Sequence, residues 1–259
     1  MNAIQSFAPS WEPVRDPFRI RGGGLLIIGA VLGISLCAFV CQPVLAVDAA
    51  KDAGFVQIFN GSSLDGWEGK PEFWSVQEGA IVGQTTAEKP TNGNTFLIWR
   101  QGNLDDFELR LLYKITGGNS GIQYRSKDYG NFVVGGYQAD FEAGPTYSGI
   151  QYEEKGRGIL AKRGERITIA SDGKKTAGEP IDSTENLQKV IQPGDWNEYR
   201  VIAKGPKLSH IINGQLMSEL DDSEASKRAA TGVLALQLHA GPPMKVEFKE
   251  IQLKRFPQE

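Results

Sequence analysis

Three short stretches alternate apolar and polar side chains: GIQYR (residues 121–125), YQADFE (residues 137–142) and LALQLH (residues 234–239). Because successive side chains on a strand point to opposite faces of its sheet, this period of two predicts three β-strands. One face of these strands would enter a hydrophobic core. The predicted core positions are Ile122, Tyr124, Tyr137, Phe141, Leu234, Leu236 and Leu238.

The opposite face of the same strands carries Gln123, Arg125, Gln138, Asp140, Glu142, Gln237 and His239. Amides bind hydroxyl groups through both a donor and an acceptor, and carboxyl and imidazole groups transfer protons. The composition of this face therefore makes it the candidate functional site.

The rest of the chain from Phe55 onward shows the same short apolar stretches, broken by Gly, Asn, Asp and Pro. This pattern is typical of an all-β sandwich or barrel. The predicted strands cover residues 56–59, 74–77, 80–83, 95–99, 107–115, 121–126, 136–142, 149–153, 166–171, 197–204, 207–212, 233–239 and 246–255. So many strands predict an all-β fold, a two-sheet jelly-roll sandwich. An Asn-Gly pair at 213–214 predicts a hairpin turn, and short helices are predicted at 183–190 and 222–230.

The first 46 residues have the composition of an export segment. Arg15, Arg19 and Arg21 precede an apolar run over residues 25–40, and small residues follow it. This order predicts a secretory signal, with an uncleaved anchor as the alternative, although the run is shorter than the ~20 residues of a membrane span. We therefore expect a periplasmic or extracellular protein, anchored if at all by residues 25–40. The predicted division is an export segment (1–46), a linker (47–54) and a jelly-roll domain (55–259).

Charge and cysteine content exclude several classes of protein. The chain has 28 basic and 31 acidic residues, so it lacks the basic footprint of a nucleic-acid-binding protein. Both cysteines, Cys37 and Cys41, lie in the export segment. The domain that follows has no disulfide, thiol nucleophile or thiolate metal site.

Motifs in order along the domain resemble those of the 3-keto-disaccharide hydrolase domain family, especially its exported forms in planctomycete-type bacteria. They are Phe59-Asn60-Gly61, Leu64-Asp65-Gly66-Trp67, Trp74-Ser75-Val76, Asp106-Phe107-Glu108-Leu109, Gly118-Asn119-Ser120-Gly121-Ile122, Gly136-Tyr137-Gln138, Asp195-Trp196-Asn197-Glu198-Tyr199, Leu236-Gln237-Leu238-His239 and Val246-Glu247-Phe248. The resemblance implies a concanavalin A-like jelly roll with a sugar site on its concave sheet. It also implies hydrolase activity on glycosides that carry a ketone at C3.

A ketone at C3 acidifies the C2 proton, so a base at C2, a donor to the enolate oxygen and an acid for the leaving oxygen are needed. His239 is the predicted base, because its reference pKa of about 6.5 leaves it largely neutral near pH 7. Arg125 is the predicted donor, with a cross-strand ion pair to Asp140 as the alternative. Asp140 or Glu142 is the predicted acid. His210 is interpreted as structural.

Substrate binding is predicted for Gln123, Gln138, Gln237, Asn119, Tyr152, Lys162 and Arg163. Lys162 and Arg163 belong to a basic, glycine-flanked segment over residues 156–164, either a mobile loop that closes over a sugar or a plain solvated hairpin. No cofactor is predicted, and a divalent cation on Asp140 and Glu142 is the alternative.

The leading hypothesis is an exported hydrolase of 3-keto-glycosides that works by C2 proton abstraction, C1 elimination and hydration. A non-catalytic, lectin-like carbohydrate-binding module on the same fold is the first alternative, because a fold does not fix a function. A structural adhesion module is the second. Under the first two hypotheses, the expected partner is a carbohydrate or an oxidised glycoside.

Overall fold

The computed structural model describes residues 53–257, and seventeen strands and one short helix are assigned among them. The export segment and residues 47–52 of the linker lie outside the described residues. In chain order the strands are β1 (Val56–Gln57), β2 (Trp67–Glu68), β3 (Trp74–Gln77), β4 (Ala80–Gln84), β5 (Thr95–Leu104), β6 (Phe107–Thr116), β7 (Asn119–Asp128), β8 (Val134–Glu142), β9 (Gln151–Glu154), β10 (Gly158–Ala161), β11 (Arg166–Ile169), β12 (Lys175–Ala177), β13 (Asn197–Lys204), β14 (Lys207–Ile212), β15 (Gln215–Asp222), β16 (Gly232–Leu238) and β17 (Lys245–Arg255). The helix α1 spans Thr184–Gln188.

The strands form two sheets, which confirms the predicted two-sheet sandwich. The ten-stranded sheet has the order β12-β11-β15-β14-β13-β6-β17-β4-β3, with β1 paired to β17. The seven-stranded sheet has the order β10-β9-β8-β7-β16-β5-β2. The β11–β15 pair is parallel, and the other strand pairs among the described residues are antiparallel. The candidate site lies on strands of the seven-stranded sheet.

The core contains the inward-facing side chains of both sheets. All seven residues that the alternation assigned to a core are buried within one cluster, which confirms those assignments. In the seven-stranded sheet, Tyr124 and Tyr137 stack with ring centroids 5.8 Å apart. Phe107 of the other sheet packs edge-on against Tyr124 at 5.8 Å. Aromatic pairs in this geometry add to the stabilisation that burial alone gives.

The alternation breaks at one point of β7. The β7–β8 register shifts between Tyr124 and Lys127, and Arg125 adopts a φ of 47°, in the left-handed region. An extra residue in one strand of a pair produces such a bulge and re-aims the side chains that follow it. The expectation that Arg125 shares a face with Gln123 is therefore wrong.

The turns and helices agree with the sequence in part. Asn213 and Gly214 both have positive φ, at 49° and 78°, in the predicted hairpin turn between β14 and β15. Helix α1 begins after Ser183, whose side chain accepts a hydrogen bond from Asn186 N as a helix N-cap. The helix predicted at 222–230 is wrong, because β15 continues through Asp222 and a single turn follows. No helix within residues 53–257 is long and apolar enough to cross a membrane.

The outer face of the seven-stranded sheet has an apolar half and a polar half. A second cluster is formed by Phe96 and Ile98 of β5, Ala235 of β16 and Val134 at the start of β8, with Phe132 packed against it. Phe96 N donates a 3.0 Å hydrogen bond to Phe132 O, which ties the β7–β8 loop to β5. The polar side chains Gln123, Gln138 and Asp140 of β7 and β8 lie on the other half of this face.

Candidate active site

A pocket of about 460 Å³ lies on the polar half of that outer face. Its lining residues are Asn94, Asn119, Gln138, Asp140, Glu142, Tyr147, Ile150, Tyr152, Glu154, Ile159, Gln237 and His239. The structure thus brings together Asn119, Gln138, Asp140, Glu142, Tyr152, Gln237 and His239 from the sequence-predicted set. The volume is within the range of small-molecule sites.

A row of buried amides forms the floor. Ser126 Oγ donates to Gln123 Oε1, and Gln123 Nε2 donates to Gln138 Oε1, both at 2.6 Å. Gln138 Nε2 then donates to Asp140 Oδ1 at 2.6 Å, and Gln237 Nε2 donates to Gln138 Oε1 at 3.1 Å. Each donor points along the row toward the carboxyl group. Gln123 therefore acts beneath the pocket by orienting Gln138, and it is not among the lining residues.

Two features of the floor follow from its sequence. Gly121 lies opposite Asp140 in the β7–β8 pair, and a Cβ added there would lie 2.5 Å from Gln138 Cγ. Glycine at 121 therefore makes room for the amide that contacts Asp140. Gln237 Oε1 is buried and has no hydrogen-bond partner among the described residues. A buried acceptor without a partner is energetically costly.

Asp140 is the carboxyl group most altered by its surroundings. Burial raises its pKa to about 7, against the lowering effect of hydrogen bonds from Gln138 and Asn119. The negative charges of Glu154 and Glu142 raise it further. A carboxyl group with this pKa exchanges its proton near neutral pH, as a general acid or base must.

His239 lies at one wall, half-buried. Its Nδ1 is 2.5 Å from Ala240 O, and Ala240 N donates to Asn94 Oδ1 at 2.9 Å. A carbonyl oxygen accepts, so Nδ1 carries the proton and Nε2 of the neutral ring is left as an acceptor. This tautomer leaves the imidazole with an unprotonated, basic Nε2.

Glu142 lies in the pocket wall but is largely occupied by its own loop. Its Oε1 accepts from Thr146 N at 2.5 Å and from Tyr147 N at 2.8 Å. Both bonds are with the β8–β9 loop, residues 143–150. The geometry therefore favours Asp140 over Glu142 as the acid.

Arg163 and Lys162 lie outside the pocket lining, so the expectation that they bind substrate there is wrong. Arg163 is buried and donates to Ser148 O at 2.9 Å and to Pro145 O at 2.6 Å. Lys162 is exposed, and its backbone N donates to Glu165 Oε2. Arg163 thus supports the β8–β9 loop from behind.

Arg125 also lies outside this pocket, because the bulge turns its side chain away. It donates to Asp105 O at 2.6 Å, to Gly205 O at 2.8 Å and to Asp106 Oδ1 at 2.6 Å. Its ion-pair partner is Asp106 rather than Asp140. The guanidinium group joins the β5–β6 turn to the β13–β14 turn, and the donor role predicted for it has no geometric support.

The basic segment over residues 156–164 contributes to the β9–β10 hairpin. Arg157 donates to Glu153 Oε2 at 2.7 Å and to Asp222 Oδ2 at 2.6 Å, and it pairs with Glu224 at 3.2 Å. Burial alone would lower the pKa of Arg157, but the hydrogen bonds to Glu153 and Asp222 raise it above its ordinary value. Arg157 therefore anchors the hairpin to β15.

The sequence reasoning missed several lining residues. Glu154 follows Tyr152 at i+2 on β9, so the alternation that selects Tyr152 also selects Glu154. Asn94 precedes β5, whose Thr95 lies opposite Leu238, and this pairing brings Asn94 near His239. Tyr147 lies in a loop, where no periodic signal exists.

His210 lies in the core, as interpreted from the sequence. Its Nδ1 is 3.0 Å from Ile150 O and its Nε2 is 2.9 Å from the Tyr124 hydroxyl. Burial lowers its pKa to about 3. No group of three or more His, Cys, Asp or Glu side chains within residues 53–257 is arranged to hold a metal ion.

Solved structures share the fold. Two proteins of Parabacteroides distasonis, both named as candidate glycosyl hydrolases, are 20% and 16% identical, with TM-scores of 0.52 and 0.51. The first match covers 80% of this chain and 96% of that chain, and the second covers 78% and 99%. A Bacillus subtilis protein of unknown function with a galectin-like fold is 8% identical, with a TM-score of 0.51 and coverage of 74% and 90%. These likenesses show the jelly-roll fold.

Comparison with curated proteins found no match. Among families, the one described as the 3-keto-alpha-glucoside-1,2-lyase-like domain matches residues 54–254. The match covers nearly all of the chain after the predicted export segment, and it confirms the family resemblance found in the motifs. The chain therefore belongs to the 3-keto-alpha-glucoside-1,2-lyase-like domain family.

Proposed function

We propose that this protein is an exported enzyme that cleaves 3-keto-glycosides by elimination followed by hydration. The observation that carries the proposal is that one pocket contains both Asp140, with a pKa of about 7, and His239, whose Nε2 is the acceptor nitrogen of the ring. Membership of the family supports the substrate class. The polar floor supports a sugar ligand, because amides match vicinal hydroxyl groups.

In the first half of the reaction His239 Nε2 takes the C2 proton, and the electrons of the C–H bond form an enolate with the C3 ketone. The electrons then return to form a C1–C2 double bond while the C1–O bond breaks. Asp140 gives its proton to the leaving oxygen. In the second half water adds across the double bond, with hydroxide at C1 and a proton at C2, so the net change is hydrolysis.

The enolate oxygen needs a donor, and Arg125 does not supply it. Asn94 is the candidate, because its Oδ1 accepts from Ala240 N and its NH₂ group remains as a donor in the pocket lining. A donor aimed at developing negative charge lowers the barrier because it needs no reorganisation during the reaction.

Turnover of oxidised glycosides tests the proposal. The purified protein is incubated with 3-keto-trehalose, 3-keto-sucrose and an aryl 3-keto-glucoside, with the unoxidised sugars as controls. We expect release of the C1 substituent from at least one keto compound and from no control. Glycan binding without turnover of any keto compound would instead favour the non-catalytic carbohydrate-binding module.

Solvent deuterium exchange at C2 separates the two proton-transfer roles. His239→Ala should lower both exchange and cleavage by about 10²–10⁴-fold, the usual contribution of a general base. Asp140→Asn should retain exchange and lower cleavage, because only departure of the leaving group needs its proton. Exchange at the wild-type rate in His239→Ala would remove His239 as the base. Loss of exchange in Asp140→Asn would assign the base role to Asp140.

A further inference from the structure

Large apolar side chains are rarely exposed on this domain. Within residues 53–257 the strongly exposed ones are Val56, Tyr129, Tyr147 and Ile159, at 64%, 53%, 44% and 39%. Tyr147 and Ile159 come from separate segments, yet both line the pocket that contains Asp140. Its polar floor is thus combined with two exposed apolar groups on the walls.

The segment that carries Tyr147 is fixed from two sides. On the pocket side, Glu142 Oε1 accepts from Tyr147 N at 2.8 Å. On the other side, the buried Arg163 donates to Pro145 O and Ser148 O, which flank Tyr147 in the loop. Charge-assisted hydrogen bonds of this kind are stronger than neutral ones. The aromatic ring is therefore exposed on a loop whose backbone is held in place.

The segment that carries Ile159 is fixed as well. Ile159 lies opposite Tyr152 in the β9–β10 pair, and Lys175 Nζ donates to Ile159 O at 2.9 Å. The next residue, Leu160, is buried in the core. Arg157 joins the same hairpin to β15 through Asp222. The charged residues near both walls thus act as anchors and leave apolar groups to meet the ligand.

We propose that Tyr147 and Ile159 form a preordered apolar clamp that binds the group attached to C1 of the sugar. This inference rests on the proposed function, which places the reacting sugar on the floor beside Asp140. In this arrangement a sugar bound on the amides places its C1 substituent against the walls, where apolar contacts favour a flat aromatic or aliphatic ring. The substrate class is therefore a glycoside with an apolar ring as its leaving group.

Glu142 and Arg163 become positioning residues in this arrangement. They act on the ligand through Tyr147, since their hydrogen bonds go to the backbone of its loop. Holding the loop in its bound form lowers the entropic cost of binding. Glu142, Arg157 and Arg163 stand out in the sequence as charged residues, yet in the structure they hold the walls.

The test measures binding of phenyl and methyl glucosides, in both anomers, by titration calorimetry. The two ligands share the sugar and differ in the apolar ring. Wild type should bind a phenyl glucoside about five- to tenfold more tightly than its methyl counterpart, as one aromatic contact allows. Tyr147→Ala should lose most of this preference, and Tyr147→Ala with Ile159→Ala should lose all of it.

Matched controls come from the two other exposed apolar residues. Tyr129→Ala and Val56→Ala remove similar exposed groups outside this pocket and should keep the full preference. Equal binding of both glucosides by wild type, no binding of either, or a preference that survives in the double variant would each overturn the clamp. Binding requires no turnover. A preference for the phenyl glucoside without cleavage of keto-glycosides would therefore contradict the proposed reaction and still support the clamp.

Discussion

At the scale of single residues, the chemistry of the site depends on what surrounds Asp140. The carboxyl group is buried, and the amide of Gln138 donates to its Oδ1. Gln138 can do this only because Gly121 leaves space and Gln123 orients its amide. Burial raises the pKa of this carboxyl group to about 7, although the hydrogen bonds from Gln138 and Asn119 act in the opposite direction.

Asp140→Asn should change how stability depends on pH. A carboxyl group whose pKa is raised on folding binds its proton more tightly in the folded state, so ionisation favours unfolding. Between about pH 4 and pH 7, wild-type stability should lose about 1.4 kcal/mol per pH unit through this group. The asparagine amide has no charge to bury, so the variant should not lose this stability. The free energy of unfolding of the variant should therefore increase relative to that of wild type as pH rises through this window. Chemical unfolding at about pH 4.5, 5.5, 6.5 and 7.5 measures it, and parallel curves for the two proteins would contradict the assignment.

At the scale of secondary structure, strand alternation predicted the site where the strands are regular and failed at the bulge. On β8, and on β16 with the residue that follows it, alternation placed Gln138, Asp140, Gln237 and His239 on the pocket side, where they lie. On β7 one left-handed residue reversed the assignment of Arg125. The sequence does not indicate this bulge, because a non-glycine residue at positive φ is rare and has no strong sequence signature.

The roles of loop residues could not be predicted from the sequence for a related reason. Tyr147 is held by hydrogen bonds to backbone groups, and such bonds depend on the fold rather than on residue spacing. The charges of Arg163 and Lys162 suggested a ligand, but a buried arginine is equally suited to bind carbonyl oxygens. Only the positions of these side chains in the folded protein distinguish binding of a ligand from binding of the protein's own carbonyl oxygens.

Substitution of Arg163 tests the role of its loop. Arg163→Met removes both hydrogen bonds to the β8–β9 loop, so it should lower stability by about 1–3 kcal/mol. It should also reduce the preference for phenyl over methyl glucosides, because Tyr147 would no longer be fixed. Arg163→Lys retains a donor and should recover part of both effects. If Arg163→Met lost stability but kept the full preference for phenyl glucosides, Arg163 would support the fold and not the clamp.

At the scale of the whole molecule, several buried polar contacts join the two sheets, and His210 makes one of them. His210 of β14 meets the Tyr124 hydroxyl of β7 at 2.9 Å, with Tyr199 packed edge-on against its ring. Its Nδ1 is bonded to Ile150 O, whose residue also lines the pocket. The contact therefore connects the core of the sandwich to the β8–β9 loop at the pocket.

His210→Gln should make the protein more resistant to acid. The pKa of His210 is lowered on folding, from its usual 6.5 to about 3, so below pH 6.5 protons bind the unfolded state preferentially and stability falls as pH falls. From about pH 7 to pH 5 this group should cost wild type about 2 kcal/mol, a loss that glutamine avoids while it still offers a donor and an acceptor. Asp140 has the opposite pH dependence, so the comparison is made in the Asp140→Asn background, where the effect of the histidine stands alone. If Asp140→Asn lost the same free energy of unfolding over this pH range with and without His210→Gln, protonation of this histidine would not contribute to the pH dependence of stability.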